Sequence, residues 1–264
     1  MILSRWWYYL RSIPTLLGSI RERGRLLRAF AGWPPPAPFE ITLHDGTRFA
    51  VRNRMDIWII KETCLDRDYE RHSVPVQDGW TVVDIGAALG DFAVSVARRL
   101  PGARVIAVEP FPESLALLQS NAQLNNVHNL EVIAAAVGAV PGEQRLALGS
   151  GVAVRHSTAQ PEAGALRVPG HSLESLFEAA QVARCQFLKI DTEGAEYEIL
   201  MQASPATLAK IDHICLEYHN GVTPYNHLDL VAFLEQQGFA ARSVRNPAHD
   251  AIGFLVARRR VPGA

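Results

Sequence analysis

Cysteine is scarce in this chain and charge is balanced, and both shortages exclude classes of function. Cys64, Cys185 and Cys215 are an odd set of three with no C-x-x-C spacing. Such a set builds neither a zinc site nor a disulfide framework, and it points to reduced thiols in a cytoplasmic protein. Lysine and arginine total 26 against 27 acids, a formal charge of −1, so no basic excess invites nucleic acid. No apolar run reaches the roughly 18 residues that cross a bilayer. The opening stretch MILSRWWYYLRSIPTLLGSIRERGRLLRAFAGW is broken by Arg5 and Arg11. It has no small-residue cleavage site after an unbroken apolar core and so does not resemble a signal peptide. What is present is 264 residues, 48% hydrophobic and 20% charged, enough for one substantial core with a small appended element.

Three segments follow from the patterning. Residues 1–38 read as a basic amphipathic helical arm, broken near Pro14, with a proline-rich linker from Pro34 to Pro38. Arg5, Arg11, Arg21, Arg23, Arg25 and Arg28 face only Glu22, while Trp6, Trp7, Tyr8, Tyr9, Leu16 and Leu17 supply the apolar side. Residues 1–33 therefore either rest on an anionic membrane at its inner face, or pack on their own domain or a second subunit. Residues 39–79 hold a hairpin over Phe39 to Val51 around His44-Asp45-Gly46-Thr47. A helix then runs from Asp56 to Cys64, with Asp56 as its N-cap.

Residues 80–260 alternate. Strands are expected at Thr81 to Ile85, Arg104 to Glu109, Leu130 to Ala135, Gln186 to Ile190 and His213 to Tyr218. Helices are expected at Asp91 to Leu100, Pro112 to Leu124, Ser172 to Ala180, Glu196 to Met201 and Leu228 to Gln237. Residues 138–170, rich in Gly, Ala and Pro, read as a hairpin or loop insertion. Ala240 to Val244 and Ala251 to Ala257 close the chain as an antiparallel pair. This order gives an α/β fold, a Rossmann-like sheet of about seven mostly parallel strands with an antiparallel last strand.

Chemistry concentrates at two places. Val83-Asp84-Ile85-Gly86-Ala87-Ala88-Leu89-Gly90 spans the first strand-to-helix turn, where glycine permits a sharp bend and the helix N-terminus offers free N–H groups. The spacing is not the dinucleotide G-x-G-x-x-G. Glu109 ends the second strand, where an acid can accept hydrogen bonds from both ribose hydroxyls, and Phe111 is placed to stack on an adenine. D-x-G-x-x-x-G with that acid points to S-adenosylmethionine. The second place is LKIDTEGAEYEIL (188–200) with ICLEYHN (214–220). Alternate residues of a strand share a face, so Lys189 is expected to pair with Glu217 inside the sheet. Asp191 and His219 are expected to meet at its edge.

These residues resemble the FkbM family of S-adenosylmethionine-dependent methyltransferases. The likeness is carried by Val83-Asp84-Ile85-Gly86-Ala87 with Gly90, Glu109-Pro110, Asn121 with Asn125, Ala136-Val137, Lys189-Ile190-Asp191 with Glu193-Gly194-Ala195-Glu196, and Glu217-Tyr218-His219. It runs from about Asp56 to Arg258 and leaves out the arm. Where the family more often has Thr-Leu-Asp, this chain has Ser172-Leu173-Glu174. The resemblance implies a class I methyltransferase acting, most often, on a hydroxyl of a sugar, glycan, lipid or natural product. It assigns Asp84, Gly86, Ala87, Gly90, Glu109, Pro110, Phe111, Ala136 and Asp191 to the cofactor.

Within that reading His219 is the expected general base, with Asp191 orienting it, touching the cofactor's methionine end or acting as base itself. Glu193, Glu196 and Tyr69 are candidate acceptor contacts. Glu193 and Glu196 equally suit a helix start. No metal is called for, and neither the acceptor nor the oligomeric state is written in the sequence. Two other classes stay open: a non-catalytic Rossmann-like binding domain, and an NAD-dependent oxidoreductase, which the missing fingerprint disfavours.

Overall fold

The structure, a computed structural model, describes residues 12, 14–33, 35–146, 166–246 and 249–260. Residues 14–19 are helical, and α1 (Arg23–Phe30) leads to the hairpin β1 (Phe39–Thr42) and β2 (Arg48–Val51). Leu16, Ile20, Leu26 and Ala29 join Phe39, Ile41, Phe49 and Val51 in one apolar cluster. The described part of the arm thus packs on its own chain. Its outer side still leaves Leu27 56%, Phe30 40% and Trp33 73% exposed. Arg5, Trp6, Trp7, Tyr8, Tyr9, Arg11 and Pro34 lie outside the described residues.

The helix expected from Asp56 starts earlier. In α2 (Arg54–Ile60) the cap is Asn53, whose side-chain oxygen accepts the Met55 and Asp56 N–H groups at 2.7 and 3.2 Å. Asp56 sits a turn inside and instead takes the Arg52 guanidinium at 3.0 Å on each oxygen. A π-helical turn (Lys61–Leu65) and α3 (Asp68–His72) follow.

The main sheet is built from β3 (Thr81–Ile85), β4 (Arg104–Val108), β5 (Leu130–Ile133), β9 (Cys185–Ile190), β10 (Ile211–His219), β11 (Phe239–Arg245) and β12 (Ile252–Arg259). Its order is β11-β12-β10-β9-β3-β4-β5. Only β12 runs against its neighbours, pairing antiparallel with both β10 and β11. The expected doubly wound sheet with an antiparallel last strand is what forms. Val83, Ile85, Leu188 and Ile190 enter one apolar cluster while Val82, Val105, Phe187 and Cys215 enter another. Both faces are covered, which is why these strands are mostly apolar on both sides, with the buried Lys189–Asp84 pair set between β9 and β3.

The helices α4 (Asp91–Arg99), α5 (Pro112–Leu124), α6 (Leu173–Ala179), α7 (Glu196–Met201), α8 (Pro205–Leu208) and α9 (His227–Gln236) complete the alternation. Ser172 caps α6 in a reciprocal pair with Ser175. The strand expected to reach Ala135 stops at Ile133. The chain then forms β6 (Ala136–Val137), which with β7 (Gly142–Leu146) and β8 (Leu166–His171) makes a separate sheet ordered β6-β8-β7. The insertion is therefore in part a sheet, and residues 147–165 lie outside the described residues.

Asn121 and Asn125, on and just after α5, tie the hairpin to this domain. The fully buried Asn121 accepts the Ala50 N–H at 2.7 Å and donates to the Leu89 carbonyl at 2.8 Å. Asn125 accepts the Arg48 N–H at 2.9 Å and donates to its carbonyl at 2.7 Å.

Candidate active site

A cavity of about 550 Å³ opens beyond the carboxyl ends of β3, β4, β9 and β10, the place where open α/β sheets bind ligands. One half is made by two turns. Gly86 leaves β3 at φ +76°, and a Cβ there would lie 1.8 Å from the Asp191 carbonyl oxygen. The β3 and β9 ends therefore cross at a distance only glycine allows. At the end of β4 the Glu109 carboxylate accepts the Ala88 N–H at 2.8 Å on one oxygen and the Phe111 N–H at 2.9 Å on the other. Burial raises this carboxyl to about 7 against the two N–H bonds, which favour the charged form. Pro110, Phe111 and Ala136 complete the wall.

The other half is acidic. Glu62, Asp68, Asp191, Glu193 and Glu217 line it with Tyr69, whose hydroxyl donates to Asp191 Oδ2 at 2.8 Å. Among the described residues Lys189 is the single lysine or arginine on the wall, and its ammonium donates to Asp84 Oδ1 at 2.8 Å and to the Gly86 carbonyl at 3.2 Å. Despite burial, the acids Asp84, Asp191 and Asp91 hold it well into the charged range. Burial and the charge of Asp191 push the Glu217 carboxyl well above the usual range.

Behind this wall the loop after β9 folds onto the end of β10. Glu196 is fully buried, and its Oε1 accepts the Thr192 and Gly194 N–H groups at 3.0 and 3.1 Å. The same oxygen stands 3.2 Å from His219 Nδ1, while Glu193 Oε2 stands 3.3 Å from Nε2. Burial alone would lower the imidazole, but the Glu196 hydrogen bond and the charges of Glu196, Asp191 and Glu193 raise it to about 9.

Comparison with known proteins decides the family. The model of the methyltransferase FkbM domain matches residues 84–241, more than half of the chain. The chain belongs to the FkbM methyltransferase family. It is an S-adenosylmethionine-dependent methyltransferase. The AMB antimetabolite synthetase AmbE of Pseudomonas aeruginosa is 26% identical over 79% of this chain, which spans 12% of that protein's length. The 31-O-demethyl-FK506 methyltransferase FkbM of Streptomyces tacrolimicus is 26% identical over 76% of this chain and 89% of its own. The methyltransferase FkbM of Methylobacillus flagellatus shares the fold at TM-score 0.50 and 14% identity, over 76% of this chain and 53% of that one.

In this FkbM-type chain the residues named from sequence divide by position. Gly86, Glu109, Pro110, Phe111, Ala136, Asp191, Glu193 and Tyr69 line the cavity. Asp84, Ala87 and Gly90 are buried or packed behind it, Asp84 at 0% exposure holding Lys189 and Gly90 against Leu118. The expected Lys189–Glu217 pair does not form. Lys189 is level with Asp84 on one side and Cys215 on the other, so Glu217 stands two residues further along, beside Asp191. His219 and Glu196 are not among the lining residues. An imidazole flanked on both nitrogens by carboxylates and held protonated is a poor base as it stands. Glu217, read from sequence as a structural partner, lies on the wall instead. Ala88, Asp68 and Phe254 line the cavity too and carried no sequence signal of their own. The cavity fits S-adenosylmethionine on three counts: the close glycine turn, a strand-end acid with both oxygens oriented, and an acidic wall for a cationic ligand.

Proposed function

We propose that this methyltransferase acts on a hydroxyl oxygen of an uncharged, polyhydroxylated small molecule, a class that takes in sugars, glycans, glycosylated lipids and natural products. The acidic half of the cavity carries this reading. Asp91 joins Glu62, Asp68, Asp191, Glu193, Glu217 and Tyr69 in lining it, and carboxylates accept hydrogen bonds from hydroxyl groups while repelling anionic acceptors. The relative from Streptomyces tacrolimicus, whose name specifies an oxygen, supports O-methylation.

When bound, S-adenosylmethionine supplies a methyl group on electron-poor sulfur. The chain's part is to hold the acceptor oxygen in line and to exclude water. Glu109 would receive the ribose hydroxyls and Phe111 would pack against the adenine. Asp191 would take the hydroxyl proton, a step worth roughly 10²–10⁴ in rate, with Glu217 beside it on the wall. His219 acts from behind them.

Labelled cofactor offered with neutral hexosides, hexuronic acids and amino sugars tests this. Label is expected in the neutral hexosides, and label confined to hexuronic acids refutes the reading.

The balanced charge and acidic cavity support a cytoplasmic enzyme with no nucleic-acid partner. No helix among the described residues is long and apolar enough to cross a membrane. Leu27, Phe30 and Trp33, exposed beside Arg23 and Arg28, support contact with an anionic inner-membrane surface. Cosedimentation with phosphatidylglycerol vesicles should fall when those three residues become serine.

A further inference from the structure

We infer that Asp191, Glu196 and His219 form a binding site for one divalent cation, with Glu193 at its edge. Each of the three offers a ligand atom, and these atoms lie within 4.8 Å of one another. The residues come from the end of β9, the first turn of α7 and the end of β10, so the fold itself assembles the set. His219 is 6% exposed and Glu196 0%, so solvent is largely kept from two of the three.

Two observations ask for a ligand beyond the cluster's own hydrogen bonds. Glu196 Oε2 and Thr192 Oγ1 are buried in the same turn and meet no hydrogen-bond partner. Buried polar atoms are paired as a rule, and an orphan calls for an account, a bound ion or water among them. The second is charge. Glu196 Oε1 and Glu193 Oε2 stand 3.2 and 3.3 Å from the two His219 ring nitrogens, and Asp191 lies beside them, so three carboxylates converge on one imidazole. The neighbouring Glu217 adds to them, and Lys189 is held by Asp84. A divalent cation offsets that imbalance, and one imidazole among carboxylates suits a manganese-, iron- or zinc-class ion better than magnesium.

The spacing admits it. Ligands about 2.1 Å from an ion and at right angles lie about 3 Å apart, close to the 3.2 Å between His219 Nδ1 and Glu196 Oε1, while Glu193 faces the other ring nitrogen and stays outside the set. Asp191 is the member that also faces the cavity, so the ion sits at the acceptor end. There it would offset the negative charge of a hydroxyl losing its proton. That role rests on the methyltransferase reading, while the site itself does not.

The test uses the full chain, stripped with EDTA and titrated with manganese(II) chloride alone. One ion per chain is expected, with imidazole-nitrogen coupling in the pulsed EPR spectrum. Affinity should fall at least tenfold in His219→Ala and Glu196→Gln, stay unchanged in the exposed control Glu131→Gln, and the nitrogen coupling should vanish in His219→Ala. Because Glu196 is buried, Asp191→Asn provides a third variant, and circular dichroism verifies each fold. No saturable binding by the unmutated chain, no nitrogen coupling, or unchanged affinity in folded variants overturns the site. Calorimetry with S-adenosylmethionine on the same samples separates the two ideas. Manganese binding without cofactor binding defeats the methyltransferase reading alone, and the reverse defeats the cation site alone.

Discussion

Replacing Lys189 by alanine should cost this protein stability chiefly through what it leaves behind. The Lys189–Asp84 pair spans 2.8 Å, with side chains 4% and 0% exposed, and Asp84 Oδ2 has no hydrogen-bond partner. Removing the ammonium strands a carboxyl that burial already pushes up and that Lys189 holds down. Breaking one side of a buried pair costs about 3–5 kcal/mol. At roughly 2–4 °C per kcal/mol for a domain of this size, the melting temperature should drop by about 10 °C. The double variant Asp84→Asn/Lys189→Met should recover most of that loss, because it removes both charges together. Glu217→Gln should shift the midpoint far less, since its carboxylate is no partner of Lys189. Differential scanning calorimetry at pH 7.5 measures the unmutated chain, these three variants and the double variant Lys189→Ala/Glu217→Gln. If Lys189→Ala and Glu217→Gln were equally destabilising and non-additive, the pairing described above would be wrong.

Other consequences are as direct. Glu109 titrates at about 7, and its ionised form is the better acceptor for ribose hydroxyls. S-adenosylmethionine affinity should therefore weaken as pH falls through 7 and change little above 8. In Glu109→Gln calorimetry should find affinity lower by tenfold or more and nearly flat with pH. Gly86→Ala places a Cβ 1.8 Å from the Asp191 carbonyl at φ +76°, so cofactor binding by equilibrium dialysis should be lost even where circular dichroism stays native. Asn121→Ala leaves the Ala50 N–H and Leu89 carbonyl without their partner, and at about 1–3 kcal/mol should lower the thermal midpoint and raise proteolysis of the hairpin first.

Much of this was legible because it is local or periodic. Thr81–Ile85 and Arg104–Val108 announce themselves as apolar strands, and the Gly86 turn and Glu109 follow them at fixed chain distance. A strand's own alternation tells which of its residues share a face. It does not tell which residue of a neighbouring strand lies level with them. Lys189, Asp191, Glu217 and His219 are charged strand-end residues as expected, and Asp191 and His219 do come together, but Lys189 pairs with Asp84 and not with Glu217. Each residue advances a strand by about 3.3 Å, so the two-residue offset that sets Lys189 beside Asp84 and Cys215 carries Glu217 out of its reach. Asp56 was misread for a smaller reason of the same kind. Asn53 and Asp56 both suit a cap, and only the helix start at Arg54 chooses between them.

Residue type and separation along one chain are enough for the sheet, the glycine turn, the acid that ends β4 and the reaction class. Only the tertiary structure decided that Lys189 neutralises Asp84, that Glu217 faces the cavity, and that His219 is enclosed by Glu193 and Glu196. Those outcomes depend on strand register and on a loop folding over a strand from another part of the chain, and a pattern read along the backbone contains neither distance.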